Sequence, residues 1–111
     1  MEREGRPPDG FDVVEDFFHD VPAEVVAKAM ARGERAQSGA PLAKPWPAAA
    51  WPDVPTAFLL CSQDRFFPAA FMRGVVGERL GLVPDEIDSG HLPAFSRPRE
   101  LAERIDAYCA Q

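Results

Sequence analysis

Apolar residues are spaced differently in the two halves of this chain. Residues 1–10 are polar, with Gly and paired Pro, and read as a disordered lead-in. From Phe11 to Phe18, Val13, Val14, Phe17 and Phe18 mix with acids, a pattern open to a short helix or an extended piece. Asp20-Val21-Pro22-Ala23-Glu24 predicts a helix start, with Asp20 as cap and Pro22 in the first turn. Val25, Val26, Ala29 and Met30 follow at helical spacing, and Gly33 ends the segment.

Pro and Ala dominate residues 34–55, and each Pro disfavours helix in the residue before it. Trp46 and Trp51 are too large and apolar for a free linker, so this connector is expected to pack against a body. After Thr56 the texture changes. Ala57-Phe58-Leu59-Leu60-Cys61 is a continuous apolar run, as in a strand buried on both faces of a parallel sheet. Pro68 opens a helix carrying Phe71, Met72, Val75, Val76 and Leu80, closed by Gly81. A short strand is expected over Asp85–Ser89. Ser96 is read as the cap of a last helix, with Pro98 in its first turn and Leu101, Ile105, Tyr108 and Cys109 on one face.

The pattern divides the chain into a lead-in (1–10), a helical segment (11–38), a Pro-rich connector (39–55) and an α/β unit (56–111). The last is strand, helix, strand, helix. Two parallel strands need a crossover of a dozen or more residues, and the helix after Pro68 supplies one, in the right-handed sense.

Composition narrows the function classes. The 111 residues are 46% apolar, enough for one domain or part of one. A net charge of -6, with Lys and Arg dispersed, argues against nucleic acid and anionic membranes as partners. No segment approaches the roughly 18 apolar residues of a membrane span. The first residues lack the apolar stretch of a secretory signal, so the cytoplasm is the expected location. Cys61 and Cys109 have no metal-ligand spacing and read as small hydrophobes on a strand and a helix.

The chemistry concentrates where the two strands end. Gln63-Asp64-Arg65 follows the first and Ser89-Gly90-His91 the second. In open parallel sheets, functional side chains gather beyond the carboxyl ends of the strands. If the strands are neighbours, about 4.8 Å apart, the Asp64 carboxylate and the His91 imidazole can meet. The carboxylate would fix the imidazole tautomer and leave the other ring nitrogen facing a nucleophile.

Here the chain resembles the α/β-hydrolase fold enzymes. Val54-Pro55-Thr56, running through the strand into Gln63-Asp64-Arg65-Phe66-Phe67-Pro68, resembles their acid loop. Gly90-His91, with Pro93 and then Ser96-Arg97-Pro98-Arg99-Glu100-Leu101-Ala102, resembles their catalytic-His loop and terminal helix. The likeness is to small bacterial, ester-cleaving, cap-bearing members. Phe18-His19-Asp20-Val21-Pro22 is similar to the beginning of part of their cap, which makes residues 11–38 cap-like. It spans roughly residues 11–110 and is strongest after 54. It implies Asp64 as triad acid, His91 as triad base, no cofactor and no metal. Gly90 would let the backbone turn beside the His.

One departure is large. The family carries its nucleophile in a G-x-S-x-G elbow on a strand-to-helix turn. The four serines here, Ser38, Ser62, Ser89 and Ser96, lie in no such context, and no oxyanion-hole loop precedes them. The resemblance therefore implies the C-terminal part of the fold, with an incomplete sheet. Its exposed edge would invite a partner chain or a second copy. Phe66 and Phe67 either wall an acyl pocket or anchor the core. His19 either lines a substrate pocket or packs in the cap. Arg65 is expected to pair with Glu86 or Asp88. Three function classes follow: part of a hydrolase acting on a small ester once completed by an N-terminal half, a non-catalytic interaction module or decayed remnant, and a self-sufficient small α/β protein of other function.

Overall fold

The structure, a computed structural model, describes residues 12–111. The lead-in expected over 1–10 lies outside the described residues, as does Phe11. A short helix α1 (Val13–Phe17) resolves the ambiguous first segment. The Asp12 carboxylate accepts the Glu15 amide (2.9 Å), while Asp16 accepts the Asp12 amide (2.9 Å). This reciprocal cap selects helix over strand.

Helix α2 (Ala23–Arg32) starts two residues later than a cap at Asp20 would set. Its N-cap is Pro22, with no side-chain bond, because the Asp20 carboxylate is engaged elsewhere (below). Gly33 ends it at φ 72°, where only glycine is unstrained. The connector holds one short helix, α3 (Ala40–Ala43). Trp46 and Trp51 stack on each other, with ring centroids 6.4 Å apart. They lie over a groove of about 550 Å³ shared with Phe58, Val75, Val76 and Leu80. Yet Trp46 remains 66% and Trp51 51% exposed, so the packing expected of them is only partly met.

The α/β unit follows the order read from the pattern: β1 (Leu59–Cys61), α4 (Ala69–Leu80) and β2 (Asp85–Ile87). A short turn α5 (Pro93–Ser96) then precedes α6 (Pro98–Cys109). The two strands pair in parallel, with Leu59 opposite Asp85, Leu60 opposite Glu86 and Cys61 opposite Ile87. The ladder runs on past β1, from the Ser62 amide to the Ile87 carbonyl (3.0 Å) and from the Gln63 amide to the Ser89 carbonyl (2.9 Å). Leu60, Val76 and Ile87 form the fully buried apolar centre.

The last helix is not capped by Ser96. Its N-cap is Arg97, and the Ser96 hydroxyl instead meets Ser89 Oγ at 2.6 Å. Tyr108 donates to Asp85 (2.6 Å) and Arg104 to the Glu86 carbonyl (2.9 Å), which seats α6 along β2. Leu101 and Tyr108 are half-buried, but Ile105 and Cys109 are exposed, so only part of the predicted apolar face is covered. Helix α4 is apolar on more than one side: Val76 is buried, Val75 and Leu80 line the groove, and Phe71 is exposed. The sheet has two strands among the described residues, and the β1 edge away from β2 carries no ladder there. The radius of gyration is 15.9 Å, against about 13 Å for a compact domain of 100 residues.

Candidate active site

Strand register brings the two chemical loops together. Cys61 and Ile87 are the last paired residues, and the chain then carries three residues to Asp64 and four to His91. His91 Nδ1–H donates to Asp64 Oδ2 at 2.9 Å. The carboxylate is 8% exposed and the imidazole 25%. Asp64 divides its oxygens. Oδ1 accepts the amides of Phe66 (2.8 Å) and Phe67 (3.0 Å), which folds the loop leading into α4. The turn role and the imidazole contact are therefore held by one side chain at once. With Nδ1 committed as donor, neutral His91 keeps Nε2 as an acceptor.

Aromatic rings surround the imidazole. Phe17 lies 4.7 Å from it, centroid to centroid, and Phe66 and Phe67 each 5.7 Å. Phe66 also packs against Phe17 (4.9 Å) and edge-on to Phe67 (4.7 Å).

A second set of contacts grips the loops from the turn between α1 and α2. His19 Nε2–H donates to the Gln63 carbonyl (2.8 Å), and Asp20 Oδ2 accepts the Gly90 amide (2.7 Å). Asp20 Oδ1 is buried without a hydrogen-bond partner among the described residues. Gly90 is not at positive φ, so the backbone freedom expected of it is not what the site uses. A Cβ there would sit 2.6 Å from Asp20 Oδ1 and 2.7 Å from His19 Nε2. The glycine is needed for close approach. His19, Asp20, Ser62, Asp64, Arg65 and Arg97 border a polar pocket of about 460 Å³.

Arg65 pairs with Glu15 of α1, not with Glu86 or Asp88. Glu86 lies beside Leu60, well below the loop, where Arg73 of α4 takes it bidentately (3.0 and 2.9 Å). That contact holds the Glu86 carboxyl below its ordinary value. The Cys61 thiol is pushed up, chiefly by burial and then by the charges of Asp64 and Asp20. Each serine hydroxyl is engaged away from the imidazole. Ser62 donates to the Ile87 carbonyl, Ser89 to the Gly90 carbonyl, Ser96 meets Ser89, and Ser38 accepts the Ala40 amide.

A model of the alpha/beta hydrolase family matches residues 2–104. The chain belongs to the alpha/beta hydrolase family. No curated protein and no solved structure matches it. In this hydrolase-family chain two parallel strands and their flanking helices form part of an α/β fold. Among the described residues no helix is long and apolar enough to cross a membrane, and no three His, Cys, Asp or Glu side chains are placed to hold a metal ion.

Sequence reasoning missed Phe17 and Asp20 as parts of this candidate site. Phe17 lay in the segment whose conformation the pattern left open. Asp20 matched a helix-cap signature, which hid its long-range partner. No local signal marks either. Only the proximity of α1 to the strand ends identifies them.

Proposed function

We propose that this chain carries the acid and base of a hydrolytic triad that cleaves a small, fairly apolar ester. The observation that carries this reading is the 2.9 Å bond from His91 Nδ1–H to Asp64 Oδ2, beyond the carboxyl ends of two paired parallel strands. Asp64 orients the imidazole and stabilises its cation. His91 Nε2 takes the proton of an attacking serine and returns it to the leaving alcohol. Phe17, Phe66 and Phe67 form an apolar wall around the imidazole. Helices α1 and α2 serve as the cap-like segment, with His19 at the edge of the pocket.

The serine comes from outside residues 12–111, in a longer polypeptide or on a partner chain. Two features support this: all four serine hydroxyls are engaged elsewhere, and the β1 edge away from β2 is unpaired among the described residues. That edge, and an apolar groove that Trp46 and Trp51 cover only in part, also suit a non-catalytic interaction module.

The test is activity with and without a supplied N-terminal half bearing G-x-S-x-G. The 111-residue chain alone is expected to give no turnover of p-nitrophenyl acetate. The reconstituted pair is expected to turn it over and to label with a fluorophosphonate. Asp64→Asn is expected to remove on the order of a thousandfold or more of that rate. The reason is geometric: the amide oxygen stays on the Phe66 and Phe67 amides, so its NH2 faces Nδ1 and forces the proton to Nε2. Turnover by the lone chain that His91→Ala abolishes would overturn the external-serine reading. A reconstituted pair indifferent to Asp64→Asn would overturn the triad.

A further inference from the structure

We propose that His19 and Asp20 are positioning residues that set the Asp64–His91 geometry from the turn between α1 and α2. The proposal rests on the reading of Asp64 and His91 as an acid–base pair. Two consecutive side chains hold the residues that immediately precede each member. His19 Nε2–H grips the carbonyl of Gln63, and the Asp20 carboxylate grips the amide of Gly90.

The loops need such a brace. The ladder between the strands ends at the bond from Gln63 to Ser89. Beyond it, the Asp64 Oδ1 contacts stay within the acid loop, and the Ser89–Ser96 contact stays within the His loop. The His91 contacts with Asp64, Phe66 and Phe67 do cross between the loops, but they are the geometry to be set; neither of the other two fixes one loop relative to the other. The pair 19–20 does, because adjacent residues on one turn reach both. The Arg65–Glu15 ion pair ties α1 to the acid loop a second time.

The cost of the arrangement argues that it is specific. Asp20 keeps Oδ1 buried, with no partner among the described residues, while Oδ2 accepts the Gly90 amide. Buried polar atoms are normally satisfied, and exceptions call for an explanation. Gly90 completes the fit, since any side chain there would collide with both gripping residues. A tether that served only to hold α2 against the body would not need to seize the two residues flanking the acid–base pair.

The experiment uses the full 111-residue chain, 15N-labelled, at a pH where the imidazoles are neutral. Long-range proton–nitrogen correlation reads the His91 tautomer, and hydrogen exchange reads the Gly90 amide. The wild type is expected to hold His91 as the Nδ1–H tautomer. In His19→Ala/Asp20→Ala the tautomers are expected to mix, and Gly90 exchange to accelerate on the order of ten- to a hundredfold. Asp20→Asn, which keeps an acceptor for Gly90, is expected to restore both readouts. Should the double variant lose its fold, His19→Ala alone, whose lost bond is exposed, is expected to shift the tautomer ratio partway. A variant that is less stable but keeps the wild-type tautomer would overturn the positioning role. Asp64→Asn separates the two ideas. If it moves the tautomer and the 19–20 variants do not, the brace fails and the pair stands. If it does not move the tautomer, the pair itself fails.

Discussion

Adding one methyl group at Gly90 measures how tightly the turn at 19–20 is pressed against the His loop. The backbone there is not at positive φ, so Gly90→Ala carries no penalty of conformation. On that ground alone alanine would stabilise the fold by about 0.4–1 kcal/mol, through the stiffer unfolded chain. The new Cβ, however, would lie 2.6 Å from Asp20 Oδ1 and 2.7 Å from His19 Nε2. Asp20 cannot yield without losing the Gly90 amide held at 2.7 Å. A charge-assisted bond of that kind contributes about 1.5–3 kcal/mol. The net expectation is a loss of about 1–2 kcal/mol, after the entropic gain is set against the lost bond. For a chain of this length that lowers Tm by roughly 4–9 °C. Thermal unfolding followed by circular dichroism reads the shift. The decisive comparison is the same substitution in His19→Ala/Asp20→Ala. There the colliding atoms are gone, and Gly90→Ala is expected to be neutral or slightly stabilising. An equal cost in both backgrounds would refute the steric account.

Three further outcomes follow from the same contacts. Ser89 is fully buried and its hydroxyl joins the Gly90 carbonyl to Ser96, so Ser89→Ala is expected to cost about 1–3 kcal/mol in denaturant unfolding. The raised Cys61 thiol is half-buried and holds less thiolate near pH 8, so iodoacetamide is expected to modify exposed Cys109 first; equal rates by mass spectrometry would contradict the burial argument. The lowered Glu86 carboxyl means the Arg73 pair contributes above the ordinary carboxylate pKa and fades as pH falls through the folded value. Glu86→Gln should therefore shift Tm only slightly at neutral pH, as exposed pairs do, and not at all once the carboxyl is protonated.

How far the fold was legible depended on the range of each signal. Continuous apolar character marked β1, and Pro68 and Gly81 bracketed α4, because these are properties of neighbouring residues. Strand pairing was legible as well, since one crossover helix leaves two parallel strands few other places to go. Caps were less so. Asp20 and Ser96 both carry cap chemistry, yet each spends its oxygen on a partner from another segment, Gly90 and Ser89. A short polar side chain near a helix start satisfies either use, and sequence cannot rank them. The meeting of Asp64 and His91 was within reach of the pattern, as both follow strand ends. Phe17 and the brace at 19–20 were not, because their contacts span 44 to 74 residues of chain.

The arrangement separates what holds the site from what holds the core. Only Leu60, Val76 and Ile87 are fully buried apolar side chains among the described residues, and the chain is more open than its length requires. So small a centre fixes two strands but not the loops that leave them. Those loops are set by polar contacts instead: the divided oxygens of Asp64, the Ser89–Ser96 link, and the grip of His19 and Asp20. Hydrogen bonds are directional, and each one here ends on a backbone group or on a side chain that is itself bonded. Local geometry at His91 can therefore be sharp even where apolar burial is sparse. The uncovered apolar sides of α4 and the open edge of β1 lie on the other side of this division. Covering them would add stability, and by this argument it would leave the imidazole where the loops already place it.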